Sequence, residues 1–463
     1  MNKFLTALFI LLISSCLKTV YGGNSRIFGS AKGNENKVIR MLIPADPISG
    51  LELAIGSTKI TASGDFSLSV PVNQTVFAWL VIGFSRTEVY LYPEQELQLN
   101  IAPLQEVIPG RNPFLDPPPL RISLISEHPR SLNADITRFN ATYGDFLATH
   151  AAALRNRGKS TLTDSLNLLI SANKPDTTDA YFRTYTFYKL TEIHVFLRQM
   201  RSPKAYRLYL EKSNLDFGNI AFSDFFNSFF ENYLTAQSKA VTANDLDQCI
   251  NKVPDLAGLL DSLGKDSLLR NEKIRELVLI KSLQQLYYAD KFAPNNILQL
   301  LDLMSNTSKF KDLRTIAKNV IIRLTRFDAG GVLPAFSFSG RDGSLVSSFK
   351  NPISCLLFFS GNCEICSSEQ DLIPALQQKF GDKVKFISIC CDEQSYALES
   401  YLREHPSYRW EFLSFNGNYT FLSEMEAKSF PTIMLLDGQD KLLQYPASLP
   451  SRNLETVLNR LLR

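Results

Sequence analysis

The chain has 463 residues, 45% of them hydrophobic and 21% charged, with a formal net charge of +3 and seven cysteines. That length exceeds one ordinary core and calls for two or three domains. So small a net charge offers nucleic acid no electrostatic footprint, and the cysteines are too few and scattered to form a disulfide scaffold.

The N-terminus has the pattern of an export signal. Lys3 precedes an apolar core, Phe4 to Ile13, which is signal-peptide length and too short to span a membrane as a mature helix. Two processing readings compete. Ile13-Ser14-Ser15-Cys16 fits a lipobox, with Cys16 the lipidated residue, whereas Val20-Tyr21-Gly22 before Gly23 suits ordinary signal peptidase. Residues 1–22 are assigned as the signal-peptide region, with a possible lipobox ending at Cys16, and on either reading the mature chain belongs to the cell envelope, free in the periplasm or membrane-anchored through lipid. No later stretch is apolar for long enough to cross a membrane.

Residues 23–104 are expected to form an all-β module. Val38 to Ile43, Leu51 to Ile55, Phe66 to Val70, Val76 to Phe84 and Glu88 to Leu91 are short runs, several alternating, divided by turn residues. Residues 105–130 read as a linker, with Pro109-Gly110 and Pro117-Pro118-Pro119 opposing regular structure. Residues 131–328 turn helical. Leu279, Leu283, Leu286 and Tyr287 trace one helix face, entered at Asn271-Glu272. Phe222, Phe225, Phe226, Phe229 and Phe230, extended by Tyr233, form an aromatic stripe assigned to packing, and Tyr181, Phe182, Tyr185, Phe187 and Tyr188 form a second cluster. Cys249 stands alone and is expected to be a small buried apolar group. The four histidines, His128, His150, His194 and His405, have no metal-type ligand at a motif spacing, so no metal and no cofactor is called for.

The last part, residues 332–463, holds the chemistry. Phe327 to Gly331 mark its start, and Pro334 to Phe338 is a strand candidate before a turn at Gly340 to Gly343. Cys355-Leu356-Leu357-Phe358-Phe359 reads as a buried strand, stopped by Ser360-Gly361 and followed at once by Cys363-Glu364-Ile365-Cys366. Leu372, Ile373, Leu376 and Phe380 then recur at helical spacing. A dithiol at the start of a helix meets the helix dipole and free N–H groups, both of which favour a thiolate. Val384 to Ile389 is a second buried strand, Gln394 to His405 a helix, Thr432 to Leu436 and Lys441 to Tyr445 a hairpin about Asp437-Gly438, and Leu454 to Leu462 a closing helix. The alternation is that of an α/β layer.

These residues resemble the thioredoxin fold, specifically the exported TlpA-like thiol–disulfide oxidoreductases. The likeness rests on Pro334-Ala335-Phe336 with Asp342-Gly343, on Phe358-Phe359 leading to Cys363-x-x-Cys366, and on Ser429-Phe430-Pro431-Thr432 ahead of a strand. The layout as a whole is similar to multidomain members common in Bacteroidetes. The resemblance implies a cis peptide at Pro431, a substrate-binding stretch at Phe430, Pro431 and Thr432, and disulfide-containing envelope proteins as partners, with electrons from a membrane donor. This chain departs from the family pattern at Asn362, where a tryptophan is usual, and at Glu364-Ile365 between the cysteines. Leu357 stands where cytoplasmic thioredoxins keep a buried aspartate, and Asp371 replaces the helix proline, with Pro374 three residues on. Glu364 beside the attacking thiol opposes a thiolate and points to a more reducing couple.

Three alternatives to exchange by attacking Cys363 and resolving Cys366 stand beside it. A peroxiredoxin-like peroxidase would use Ser360, three before Cys363, although Leu356 replaces that motif's proline. An envelope lipoprotein could bind a partner through its β and helical parts, with a structural or vestigial dithiol. A zinc site would need Cys390-Cys391 as a second pair. For those two residues the plain expectation is a buried Cys390 and a loop Cys391, against an accessory disulfide role.

Overall fold

The computed structural model describes residues 23–105, 117–125, 131–155, 161–172, 178–196, 202–211, 215, 217–392, 396–427 and 429–463. The export signal, Cys16, Pro109-Gly110 and His128 fall outside them. The chain is multidomain: all-β at its N-terminus, helical in the middle and α/β at its C-terminus. It divides into two compact units, one of residues up to 81, 87–103 and 121–319, the other of 82–86, 104–120 and 320–463.

The first unit joins the β module to most of the helices. The strands are β1 (Asn24–Ser30), β2 (Val38–Pro44), β3 (Glu52–Lys59), β4 (Asp65–Pro71), β5 (Val76–Ile82), β6 (Ser85–Leu91), β7 (Glu96–Ile101) and β8 (Ile122–Leu124). They form two four-stranded sheets, ordered β4-β1-β7-β8 and β3-β2-β5-β6. In β4 alternation is complete, with Phe66, Leu68 and Val70 buried and their neighbours exposed. β8 is a correction, since part of the expected linker pairs with β7, Leu99 opposite Leu124. Local composition there is unremarkable; an open sheet edge made the strand.

The aromatic stripe packs as expected: Phe222, Phe225, Phe226, Phe229, Phe230 and Tyr233 are all buried. Each contributes roughly 1.5–3 kcal/mol of apolar burial. Phe187 is exposed but still meets Tyr188 of its cluster edge-on, ring centroids 5.1 Å apart, and Cys249 is only half-buried. The helix Glu272–Tyr287 is capped by Asn271, whose side chain accepts from the Ile274 amide. It is buried on every side, not along one face, because Ile274, Leu277, Val278, Ile280 and Leu283 all lack exposure. Asn227 donates to the Pro47 carbonyl and Asn319 to Asp46, tying the β2–β3 loop to helices of the same unit.

In the second unit, β9 (Phe338–Gly340), β10 (Leu345–Val346), β11 (Ile353–Phe359), β12 (Lys385–Cys390), β13 (Glu411–Ser414), β14 (Thr432–Asp437) and β15 (Leu442–Ala447) make one sheet, ordered β10-β9-β13-β12-β11-β14-β15. β11 is central and buried at all seven positions, parallel to β12 and antiparallel to β14. Two apolar clusters cover its faces. Cys355, Leu357 and Phe359 join one with Cys366 and Cys390, and Leu356 and Phe358 join the other with Ile387, Cys391 and Met434.

Three sequence expectations shift here, and two elements went unforeseen. The strand expected at Pro334–Phe338 starts only at Phe338, because β9 finds its partner at Gly340 and Ser339, opposite Leu413 and Ser414. The helix after the dithiol breaks into Glu364–Gln370 and Ile373–Phe380. Pro374 explains the break, since it has no N–H to give the Gln370 carbonyl. The β14–β15 turn is longer than an Asp-Gly hairpin: Asp437 accepts from the Gln439 and Lys441 amides, and Asp440 carries the positive φ of 57°. β13 and the helix Tyr419–Glu424 lie in a stretch with no regular pattern long enough to reveal them.

Candidate active site

The register of the central sheet builds the site. Phe359 at the end of β11 lies opposite Cys390 at the end of parallel β12. β14 runs the other way, so its first residue, Thr432, lies opposite Phe358. Three chain segments distant in sequence therefore meet at one end of these interior strands: the dithiol turn, the residues after Cys390, and the loop ending in Pro431.

Cys363 caps the helix Glu364–Gln370 in extended conformation, and its Sγ accepts from the Cys366 amide at 3.1 Å. Cys363 and Cys366 are joined as a disulfide. Cys366 is wholly buried, whereas Cys363 is half-exposed and Glu364, Ile365 and Asn362 face solvent. A buried inner sulfur and an accessible outer one suit a resolving and an attacking cysteine, in that order. Cys363 Sγ lies 3.9 Å from the Phe430 carbonyl, and the Phe430–Pro431 peptide is cis. Of the three residues expected to contact substrate, Phe430 and Pro431 are half-exposed. Thr432 is buried and its hydroxyl donates to the Ser429 carbonyl.

Below the turn lies a carboxylate that pattern reading did not single out. Ser360 Oγ donates to Asp392 Oδ1 at 2.7 Å, and the Gly361 amide donates to Oδ2 at 2.8 Å. The available signal was positional: in open α/β sheets, functional groups gather beyond the carboxyl ends of strands. Under the helix, Gln370 Nε2 donates to the Tyr401 hydroxyl at 2.9 Å, which also meets Ser367 Oγ at 3.1 Å. Tyr408 donates to Asp371 Oδ1 at 2.7 Å, so Asp371 serves as an anchor. Glu369 is buried and accepts from the Ser451 amide and hydroxyl.

Leu357 is buried in the same cluster as Cys366, so the aspartate position of cytoplasmic thioredoxins is filled by packing. The other cysteines of this unit are buried. Burial pushes the Cys355 thiol up to about 12, and burial followed by the neighbouring Asp392 does the same to Cys390. Cys391, expected as a loop residue, does lie beyond β12 but is buried; burial raises its thiol, and its amide bonds the Phe359 carbonyl. The reason is that the chain stays on the sheet for one residue beyond β12. Among the described residues, no group of three or more His, Cys, Asp or Glu side chains is placed to hold a metal. No described helix is long and apolar enough to cross a membrane.

A family model described as thioredoxin-like matches residues 351–442. Among solved structures, the chain is similar to the thioredoxin domain of a thiol-disulfide oxidoreductase from Bacteroides vulgatus, with 20% identity, 29% of this chain and 98% of that one covered, and a TM-score of 0.27. A thiol:disulfide interchange protein from Bacteroides sp. has 21% identity, 30% and 92% coverage, and a TM-score of 0.27. A thioredoxin-like protein from Porphyromonas gingivalis has 21% identity, 28% and 88% coverage, and a TM-score of 0.24. No curated protein matches the chain.

Proposed function

We propose, from a C-terminal domain that is thioredoxin-like, that this chain carries out thiol–disulfide exchange in the cell envelope, acting as a reductant. The observation that carries the reading is the half-exposed Cys363 capping a helix, bonded to a wholly buried Cys366 and set against the Phe430–Pro431 loop. In the reduced protein, the Cys363 thiolate attacks one sulfur of a substrate disulfide. That bond breaks, and the departing substrate thiolate takes up a proton. Cys366, as thiolate, then attacks Cys363 Sγ, releasing the second substrate thiol and leaving the Cys363–Cys366 disulfide, so two electrons pass to the substrate. A membrane donor of two electrons and two protons restores the dithiol.

Phe430 and Pro431 would line the extended substrate segment, with Thr432 shaping their loop from within. Glu364, exposed beside Cys363, disfavours the thiolate and so the reduced state, which is the basis for assigning the reducing direction. Export on the N-terminal signal, with cleavage before Cys16 and lipid on that residue, would place the domain where disulfide substrates occur. Processing is read from the mass of the mature N-terminus.

The test is trapping. Full-length protein with Cys366→Ser should accumulate mixed disulfides with envelope proteins, lost when Cys363→Ser is added. A Cys366→Ser protein that traps none would overturn the reading. Direction is read from the potential of the couple: roughly −270 mV for a reductant, against roughly −120 mV for an oxidant.

A further inference from the structure

We propose that Asp392 is a positioning residue for the Cys363–Cys366 couple and holds it on the reducing side, an inference that rests on the exchange reading above. β12 ends at Cys390, and two residues later the chain returns its carboxylate to the turn that carries the dithiol. Both oxygens are used on that turn: Oδ1 accepts from Ser360 Oγ and Oδ2 from the Gly361 amide. Cys390 Sγ adds a longer contact to Oδ2 at 3.6 Å. The turn is closed in its own right by the Cys363 amide on the Ser360 carbonyl at 3.1 Å. Asp392 thus grips the two residues at one end of a turn whose other end is the attacking sulfur. The fit is close, because a Cβ on Gly361 would stand 3.2 Å from Asp392 Oδ2 and 3.7 Å from the Tyr401 ring.

Two physical effects of this arrangement act in one direction. Bracing Ser360 and Gly361 keeps Cys363 at the helix cap beside its partner, which favours the closed ring over the open dithiol. A carboxylate held on the turn that carries the pair also disfavours further negative charge on that turn, which again favours the disulfide over a thiolate. Opening the disulfide is therefore harder with Asp392 in place, and an electron pair held by the dithiol is more readily given up. This does not repeat the buried-aspartate arrangement of cytoplasmic thioredoxins, whose position holds Leu357 here. The carboxylate instead reaches the turn from the neighbouring strand.

The experiment uses full-length wild type, Asp392→Asn and Ser360→Ala, each equilibrated with mixtures of reduced and oxidised glutathione. Two glutathione thiols reduce the protein disulfide to two thiols and leave one glutathione disulfide. Acid quenching and a mass tag then read the reduced fraction. Asp392→Asn should raise the equilibrium constant for reduction about tenfold, which is about 30 mV for a two-electron couple. Ser360→Ala, which removes one of the two main bonds and keeps the charge, should raise it about threefold. An Asp392→Asn constant within twofold of wild type would make Asp392 a brace of the fold only and overturn the proposal, as would a shift of opposite sign. If Asp392→Asn fails to fold, Ser360→Ala decides alone, and a Ser360→Ala constant equal to that of wild type overturns the proposal. Glutathione needs no protein substrate, so the result stands apart from any failure to trap mixed disulfides.

Discussion

Tyr401→Phe isolates what holds the dithiol helix down. The ring would remain, 4.8 Å between centroids from Phe359, and only the hydroxyl would go. That hydroxyl accepts from Gln370 Nε2 and bonds Ser367 Oγ. Gln370 has no exposure, and its Oε1 already lacks a partner. Without Tyr401 its Nε2 would be a second unsatisfied buried atom, at a cost of about 1–3 kcal/mol. Ser367 is half-exposed and can turn to water, so its loss adds little. A total of about 2 kcal/mol corresponds to roughly a thirtyfold rise in the open population of the helix. Cys366 reports that opening because it is wholly buried when the helix is seated. In a Cys363→Ser background, which prevents the disulfide, native alkylation of Cys366 followed peptide by peptide should be about thirtyfold faster with Tyr401→Phe. A rate within twofold of the parent would refute the argument that this hydroxyl seats the helix.

Three further outcomes follow from the same geometry. Burial alone would raise the Glu426 carboxyl, but Arg326 and Arg323 outweigh it and hold the pKa below the ordinary 4.5. A depressed carboxylate stabilises above its unfolded value and loses that contribution as pH falls through its folded one. Glu426→Gln should therefore cost about 1–2 kcal/mol near neutrality, with the gap closing below about pH 4.5; this is read from urea midpoints of Trp410 fluorescence in a Trp79→Phe background. In native reduced protein, alkylation near pH 8 should mark Cys363 well before Cys355, Cys390 and Cys391, whose thiols are buried and raised; equal labelling of Cys390 would contradict its burial. Phe226→Ala, at a wholly buried stripe position, should destabilise the first unit by about 3–5 kcal/mol, measured by its urea midpoint.

Much of the C-terminal domain was written locally. Cys355 to Phe359 is apolar at every position because β11 is covered on both faces, and that run followed by Ser360-Gly361 and two cysteines three apart locates strand, turn and helix cap without tertiary information. Pro431 ahead of Thr432 to Leu436 was legible in the same way. Short elements were not. β8 and β13 have three and four residues and owe their existence to a neighbouring strand edge, which no local pattern encodes. The burial of Cys391 and of the whole helix Glu272–Tyr287 likewise depends on what covers them.

The opening residues of the site show where that boundary falls. The amino acids by themselves determined that a dithiol would cap a helix after a buried strand, since hydrophobic run, turn and helical spacing all act over a few residues. They could not determine what the dithiol would rest on. Asp392 lies 31 residues from Gly361 and Tyr401 lies 31 from Gln370. Such partners are chosen by strand order and register, which arise from the packing of the whole sheet. Tertiary structure thus decided which carboxylate and which hydroxyl surround the two sulfurs.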